Sequence, residues 1–261
     1  MSCRIADAFG LAMLVCIAAQ PAAARIAPQD YRAVGVDVPK GAAVPRDAPV
    51  IDEEGHRRSL GELIGKPSVL VFADYTCATL CGPIVAFVGS ALEQSGLRPD
   101  EFQLLVVGLD PKDTVADAAR MRTAHLGADS PINAAFLTAD EASVRSIATA
   151  LGYRYAYDEE TDQFVHPGAA YVLTSDGRVA RILTGLGISA SDLRLALVEA
   201  GNGRLGTLGD RVRLLCSGFD PAHGRYNILV SRLLAATAIA TILALGSAFV
   251  LLWLMGRRRA A

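Results

Sequence analysis

Between residues 45 and 200 the chain alternates short apolar runs with longer amphipathic stretches. "SVLVFAD" (68–74) and "FQLLVVGLD" (102–110) are continuous apolar runs, the signature of strands covered on both faces. "IVAFVGSALEQS" (84–95), "TVADAARMRTAHL" (114–126), "DEASVRSIATAL" (140–151) and "SASDLRLALVEA" (189–200) carry helical spacing. Thr114 and Asp140 are placed to cap helix starts, and Gly96 and Gly127 to end helices. A short strand is predicted at "AAFLT" (134–138), and two more at 169–174 and 179–183, joined by the hairpin turn "SDG" (175–177).

The resulting order is strand, helix, strand, helix, strand, helix, hairpin, helix. It predicts an α/β domain with a central mixed sheet flanked by helices, a layout that a thioredoxin-like fold fits. His56 falls in a polar turn before this domain's first buried strand and reads as solvent-facing.

The two ends have a different pattern. Arg4, the apolar run 8–19 and "AAA" at 22–24 predict an export signal over residues 1–24. Residues 25–44 read as an extended segment, and 201–230 as a connector bearing Gly and Arg. Residues 233–255 contain no charge, which at 1.5 Å per residue is about 35 Å of helix. This predicts a C-terminal transmembrane helix over 231–256. The "RRR" at 257–259 favours a cytoplasmic tail over 257–261. The expected placement is a single span in the inner membrane with the domain in the periplasm.

Composition narrows the function classes. The formal net charge is −2 and the arginines form no soluble basic stripe, so nothing points to nucleic acid. Of five cysteines, Cys3 and Cys16 lie in the predicted signal, leaving Cys77, Cys81 and Cys216. Export would place a thiol pair where it can close.

Cys77 and Cys81 sit where the first buried strand gives way to a helix. Residues four apart on a helix share a face, and free N–H groups at a helix start favour thiolate over thiol. Pro83 suits an early helical turn. The spacing is compatible with a structural disulfide, a thiol redox pair or a soft-metal site for Cu(I). A third copper ligand would come from a histidine. His125 lies late in a helix and His223 in the connector, whereas His166 precedes the strand "AAYVL" and is the candidate. A peroxiredoxin-like peroxidase, with one nucleophilic cysteine and a separate resolving thiol, fits the paired cysteines less well. Cys216 reads as a small apolar residue.

The pieces "VFADYTCATLCGP", "VVGLDPKDT" and "FVHPGAAYVLTSDGR" resemble the SCO/SenC family of thioredoxin-like proteins of cytochrome c oxidase assembly. The resemblance covers about residues 45–200. It implies copper, as Cu(I) or Cu(II), held by Cys77, Cys81 and His166, with Cys77 and Cys81 also available as a redox pair. Asp110 and Asp113, in "DPKDT", would be carboxylates behind the ligands. The implied role is that of a copper chaperone or thiol reductase for the binuclear copper site, more a metallochaperone than an enzyme. Its implied partners are the copper-bearing oxidase subunit and another copper chaperone or thiol reductase. The alternative is a general thiol–disulfide oxidoreductase without copper delivery. Here Ala78 follows the first cysteine and Gly82 the second, where family members often have proline.

Overall fold

The computed structural model describes residues 34–77, 81–185, 187–202, 204–220, 225–228, 237–247 and 249. In chain order the first elements are β1 (Gly35–Val36), β2 (Pro49–Ile51), β3 (Arg57–Ser59), the single-turn helix α1 (Leu60–Leu63), β4 (Ser68–Ala73) and α2 (Cys81–Gln94). Next come β5 (Gln103–Gly108), α3 (Val115–Leu126), β6 (Ala134–Leu137), α4 (Glu141–Ala150), β7 (Tyr153–Arg154), β8 (Ala156–Asp158) and β9 (Gln163–Val165). The chain continues through β10 (Ala169–Leu173), β11 (Val179–Thr184), α5 (Ala190–Ala200), α6 (Leu208–Cys216), β12 (Ser217–Asp220) and β13 (Arg225–Ile228).

The central sheet has five strands in the order β11-β10-β4-β5-β6. β4, β5 and β6 run parallel, while β10 lies antiparallel to β4 and β11 antiparallel to β10. All six residues of β4 and all six of β5 are buried, as continuous apolar strands require. Their alternate side chains feed two cores. Val69, Val71 and Ala73 face a layer built by Ile84, Val85, Val88 and Leu92 of α2, Ala118 and Met121 of α3, and Leu193 and Leu197 of α5. Leu70 and Phe72 face Leu60 of α1, Val144 and Ile147 of α4, and Tyr153. Each fully buried aliphatic side chain contributes about 1.5–3 kcal/mol by leaving water, so the paired layers hold β4 rigidly. This is the mixed sheet flanked by helices expected for a thioredoxin-like fold.

The predicted caps form. The Thr114 hydroxyl accepts from the Asp117 N–H, and the Asp117 carboxylate accepts from the Thr114 N–H, closing a capping box. Asp140 accepts from the Ser143 N–H at 2.8 Å. The structure adds three short strands, β7 to β9, between α4 and β10. At two or three residues each they are too short to show a period in the sequence.

Gly152 sets the first of them. Its φ is +64°, and a Cβ there would lie 1.8 Å from the Asp37 carbonyl oxygen, so no other residue fits without moving the backbone. The close approach lets the Asp37 N–H donate to the Gly152 carbonyl at 2.8 Å and pairs Val36 with Tyr153.

The expected C-terminal membrane span requires correction. Residues 237–247 are helical and exposed, but among the described residues no helix is long and apolar enough to cross a membrane. The described helical run covers about 16 Å, against the roughly 30 Å of a hydrocarbon core. The remainder of the expected span, 231–236, 248 and 250–256, lies outside the described residues, as do the expected signal over 1–24 and the tail over 257–261. The single inner-membrane span expected at the C-terminus, on which the periplasm-facing placement partly rested, is not found among the described residues. The connector is more structured than its composition suggests, because it contains α6 and the β12–β13 pair.

Candidate functional site

The ends of β4 and β5 meet at the same edge of the sheet, since Ala73 pairs with Gly108 in parallel register. β4 leads through Asp74 and Tyr75 to Cys77, and β5 leads through Leu109 to Asp110 and Asp113. The antiparallel β10 runs along the other side of β4, with Ala170 opposite Val71. The residues before β10 are thereby carried toward the same end, and His166 is among them.

Cys77 is half-buried in the turn after β4, and its N–H donates to the Asp74 carbonyl at 3.4 Å. Its thiol donates to Gln163 Oε1 at 3.4 Å. This contact ties the cysteine loop to β9, three positions before His166. Cys81 opens α2, three residues before the predicted start at 84, while residues 78–80 lie outside the described residues. Pro83 is the third residue of α2, where its missing N–H costs no helical bond.

Asp74 joins the two segments. It is fully buried, and its Oδ1 accepts from the Thr76 N–H at 3.1 Å and the Thr76 hydroxyl at 3.2 Å. Its Oδ2 accepts from the Phe164 N–H at 3.0 Å. One carboxylate thus holds both the loop bearing Cys77 and the strand preceding His166. The sequence carried a signal for this residue: a charge ending a continuous apolar strand is costly unless it is well bonded.

His166 is half-buried. Its Nδ1 lies 2.9 Å from the Tyr153 hydroxyl and 3.3 Å from the Pro167 carbonyl oxygen. Its Nε2 is buried with no hydrogen-bond partner among the described residues. Burial lowers its pKa, outweighing the opposing pull of the Pro167 carbonyl and the Asp74 charge. A neutral, buried imidazole with one bare nitrogen has the chemistry of a metal ligand. The donor set at this edge, thiol sulfur with imidazole nitrogen, is one that copper accepts.

Asp110 and Asp113 lie at the same edge, both buried. Asp110 Oδ1 accepts from the Lys112 N–H at 2.8 Å, a turn that faces the Asp113 segment. Asp113 Oδ2 accepts from the Tyr75 N–H at 3.1 Å, while its Oδ1 is buried and without a partner among the described residues. Burial pushes the Asp113 carboxyl up to about 7; the Tyr75 N–H opposes this, and the charges of Asp74, Asp110 and Asp117 add to it.

The folded chain therefore holds a proton on Asp113 that the unfolded chain has released, from the ordinary carboxylate range up to about pH 7. Stability should fall as pH rises through that window. At full weight the ionised, buried carboxylate would cost about 4 kcal/mol, and partial solvent screening brings this to about 2 kcal/mol. Asp113→Asn is expected to remove most of the decline, raising stability above pH 7 while leaving it near wild type at pH 4. Urea unfolding at both pH values measures this, and a parallel pH dependence in the variant would refute it.

His56 is exposed, with Nδ1 3.3 Å from an Asp52 carboxylate oxygen, in keeping with its solvent-facing reading. His125 sits half-buried on α3, where burial lowers its pKa. His223 lies outside the described residues, and Cys216 ends α6. Neither Tyr153 nor Gln163 was singled out by the sequence, because a tyrosine after glycine and a glutamine in an acidic loop carry no spacing signal.

Comparison with known proteins agrees with this fold. A crystallised protein of Aquifex aeolicus VF5 aligns at a TM-score of 0.57 and 22% identity, over 63% of this chain and 95% of its own. ScoI of Arabidopsis thaliana, solved with copper bound, aligns at 0.50 and 17% identity, over 61% and 96%. BsSco, described as a member of the Sco family of cytochrome c oxidase assembly proteins and as carrying a disulfide switch, aligns at 0.52 and 19% identity, over 64% and 98%. At such identities these likenesses speak to the fold. No curated protein matches the chain. A family model does, over residues 40–196, and that model describes SCO1/SenC. With more than half its length matched, the chain belongs to the SCO1/SenC family.

Proposed function

We propose that this protein binds copper through the sulfurs of Cys77 and Cys81 and the Nε2 of His166, and serves the assembly of a cytochrome c oxidase. The observation carrying this reading is the buried Nε2 of His166, which lacks a hydrogen-bond partner among the described residues and lies on the segment that Asp74 and Gln163 tie to the Cys77 loop. A buried nitrogen lone pair left bare is unfavourable unless a ligand meets it. Copper is the cargo, and the likeness to a copper-bound ScoI and to an oxidase-assembly protein supports the choice. The buried carboxyls of Asp110 and Asp113 lie at the same edge, and Asp113 holds the Cys77 loop through the Tyr75 N–H.

Transfer then proceeds by ligand exchange, with the partner's donors replacing the thiolates one at a time. A disulfide between Cys77 and Cys81 would bind no copper until two electrons and two protons from a dithiol reductant had reopened it.

The full chain, purified reduced, is expected to take up about one copper per molecule. His166→Ala should weaken Cu(I) binding by about 100-fold, roughly 3 kcal/mol, while diamide still closes the disulfide. Competition with a Cu(I) chelator and a thiol count measure both. Equal affinity in the variant would remove His166 from the ligand set. Absence of copper from the reduced wild type would leave the general thiol–disulfide oxidoreductase.

A further inference from the structure

The hydrogen bonds around His166 determine which imidazole nitrogen carries the proton. The Tyr153 hydroxyl lies 2.9 Å from the Pro167 carbonyl oxygen and 2.9 Å from His166 Nδ1. A carbonyl only accepts, so the single hydroxyl proton points to Pro167. The hydroxyl oxygen is then an acceptor, and Nδ1 must carry a proton to meet it. The contact of Nδ1 with the Pro167 oxygen at 3.3 Å agrees, since an Nδ1–H can share its bond between two oxygens.

The opposite tautomer fails three times over. It would set the Nδ1 lone pair against the Pro167 carbonyl, and the Tyr153 oxygen lone pairs against the same carbonyl. It would also leave an Nε2–H buried where no acceptor lies among the described residues.

Tyr153 is held firmly in this pose. Its ring is buried, stacks on Phe72 at 4.3 Å between centroids, and meets the edge of Tyr171 at 6.2 Å. Its backbone is locked by the pairing of β7 with β1 and by the Gly152 turn.

We infer that Tyr153 is a positioning residue for His166: its hydroxyl, shared with the Pro167 carbonyl, fixes the Nδ1–H tautomer and leaves the buried Nε2 lone pair unprotonated for copper. The inference rests on the reading of His166 as a copper ligand, but the tautomer itself exists without metal. Neither Asp110 nor Asp113 is needed for it, and no loop closure is involved.

The test uses the reduced, metal-free full chain labelled with 15N-histidine, with His166 assigned by its absence in His166→Ala. Two-bond proton–nitrogen correlations at a pH where the ring is neutral report the tautomer. Wild type is expected to show Nδ1–H at His166. Tyr153→Phe, which keeps the ring stack, should weaken that preference and bind Cu(I) about 10- to 100-fold more weakly at unchanged stoichiometry. A hydroxyl with only a structural role would lower the melting temperature without moving the tautomer.

Nε2–H in wild type overturns the inference, as does an unchanged tautomer in Tyr153→Phe. If Tyr153→Phe does not fold, the wild-type spectrum decides alone, with Nδ1–H upholding the assignment and Nε2–H overturning it. If His166→Ala binds copper like wild type while wild type shows Nδ1–H, the copper reading fails and the tautomer assignment stands.

Discussion

Cys77→Ser is expected to lower Cu(I) affinity by about 1,000-fold or more, on the order of 4 kcal/mol. Serine offers a hard oxygen that stays protonated at neutral pH, whereas a thiolate is both soft and charged. The loss exceeds that expected for His166→Ala, because it removes a charged donor and leaves two ligands, one sulfur and one nitrogen. Stability should hardly change. The Cys77 thiol is half-buried and donates a long bond to Gln163, which a serine hydroxyl can approximate. Chelator competition gives the affinity, and a melting temperature within a few degrees of wild type separates loss of the site from loss of the fold. A variant retaining wild-type copper affinity would exclude Cys77 from the ligand set.

Asp74→Ala is expected to have the largest effect on the fold around the site. The carboxylate is fully buried and receives three hydrogen bonds, two from Thr76 and one from the Phe164 N–H. Alanine leaves two backbone N–H groups without their acceptor. Each unsatisfied group costs about 1–3 kcal/mol when buried, and these lie partly exposed, so a total of about 3 kcal/mol is expected. For a domain of this size that is a fall of about 6–12 °C in melting temperature. Copper affinity should fall as well, although no ligand is removed, because the strand before His166 would no longer be tied to the Cys77 loop. Asp74→Asn keeps one acceptor oxygen and should lie between the two. Calorimetry together with copper competition reads both effects, and an Asp74→Ala protein with wild-type stability and affinity would show that Asp74 does not join the segments.

Much of the layout was legible because it rests on local periodicity. The runs at 68–74 and 102–110 are apolar apart from Ser68, Gln103 and their closing aspartates, and a strand covered on both faces absorbs such a run. Thr114 and Asp140 announced their helices because a cap is a local contract between one side chain and an N–H three residues on. The membrane span over 231–256 shows the weakness of the same method. Hydropathy alone registers apolar length, and among the described residues no helix of that length and character is found. The proposed site was legible only in its candidate donor atoms. Cys77 and Cys81 stood out by spacing, and His166 by its resemblance to a family pattern. Asp74 showed only as a charge closing an apolar strand, and Gln163 and Tyr153 gave no signal, since each acts on a residue distant in sequence.

The amino-acid sequence by itself determined the α/β order of elements, the helix caps, the two thiols at a strand-to-helix junction and the family to which they belong. Only the tertiary structure decided what surrounds those thiols. Parallel pairing of β4 with β5 brings Asp110 and Asp113 to the Cys77 edge, and antiparallel pairing with β10 brings the His166 segment there. The Asp74 carboxylate bridges a separation of 90 residues to Phe164, and the Tyr153 hydroxyl meets a ring 13 residues away. The physical reason is range. Propensity, capping and periodicity act over a few residues, whereas burial strips water from a polar group and makes its nearest partner in space, wherever it lies in the chain, decide its protonation and its chemistry.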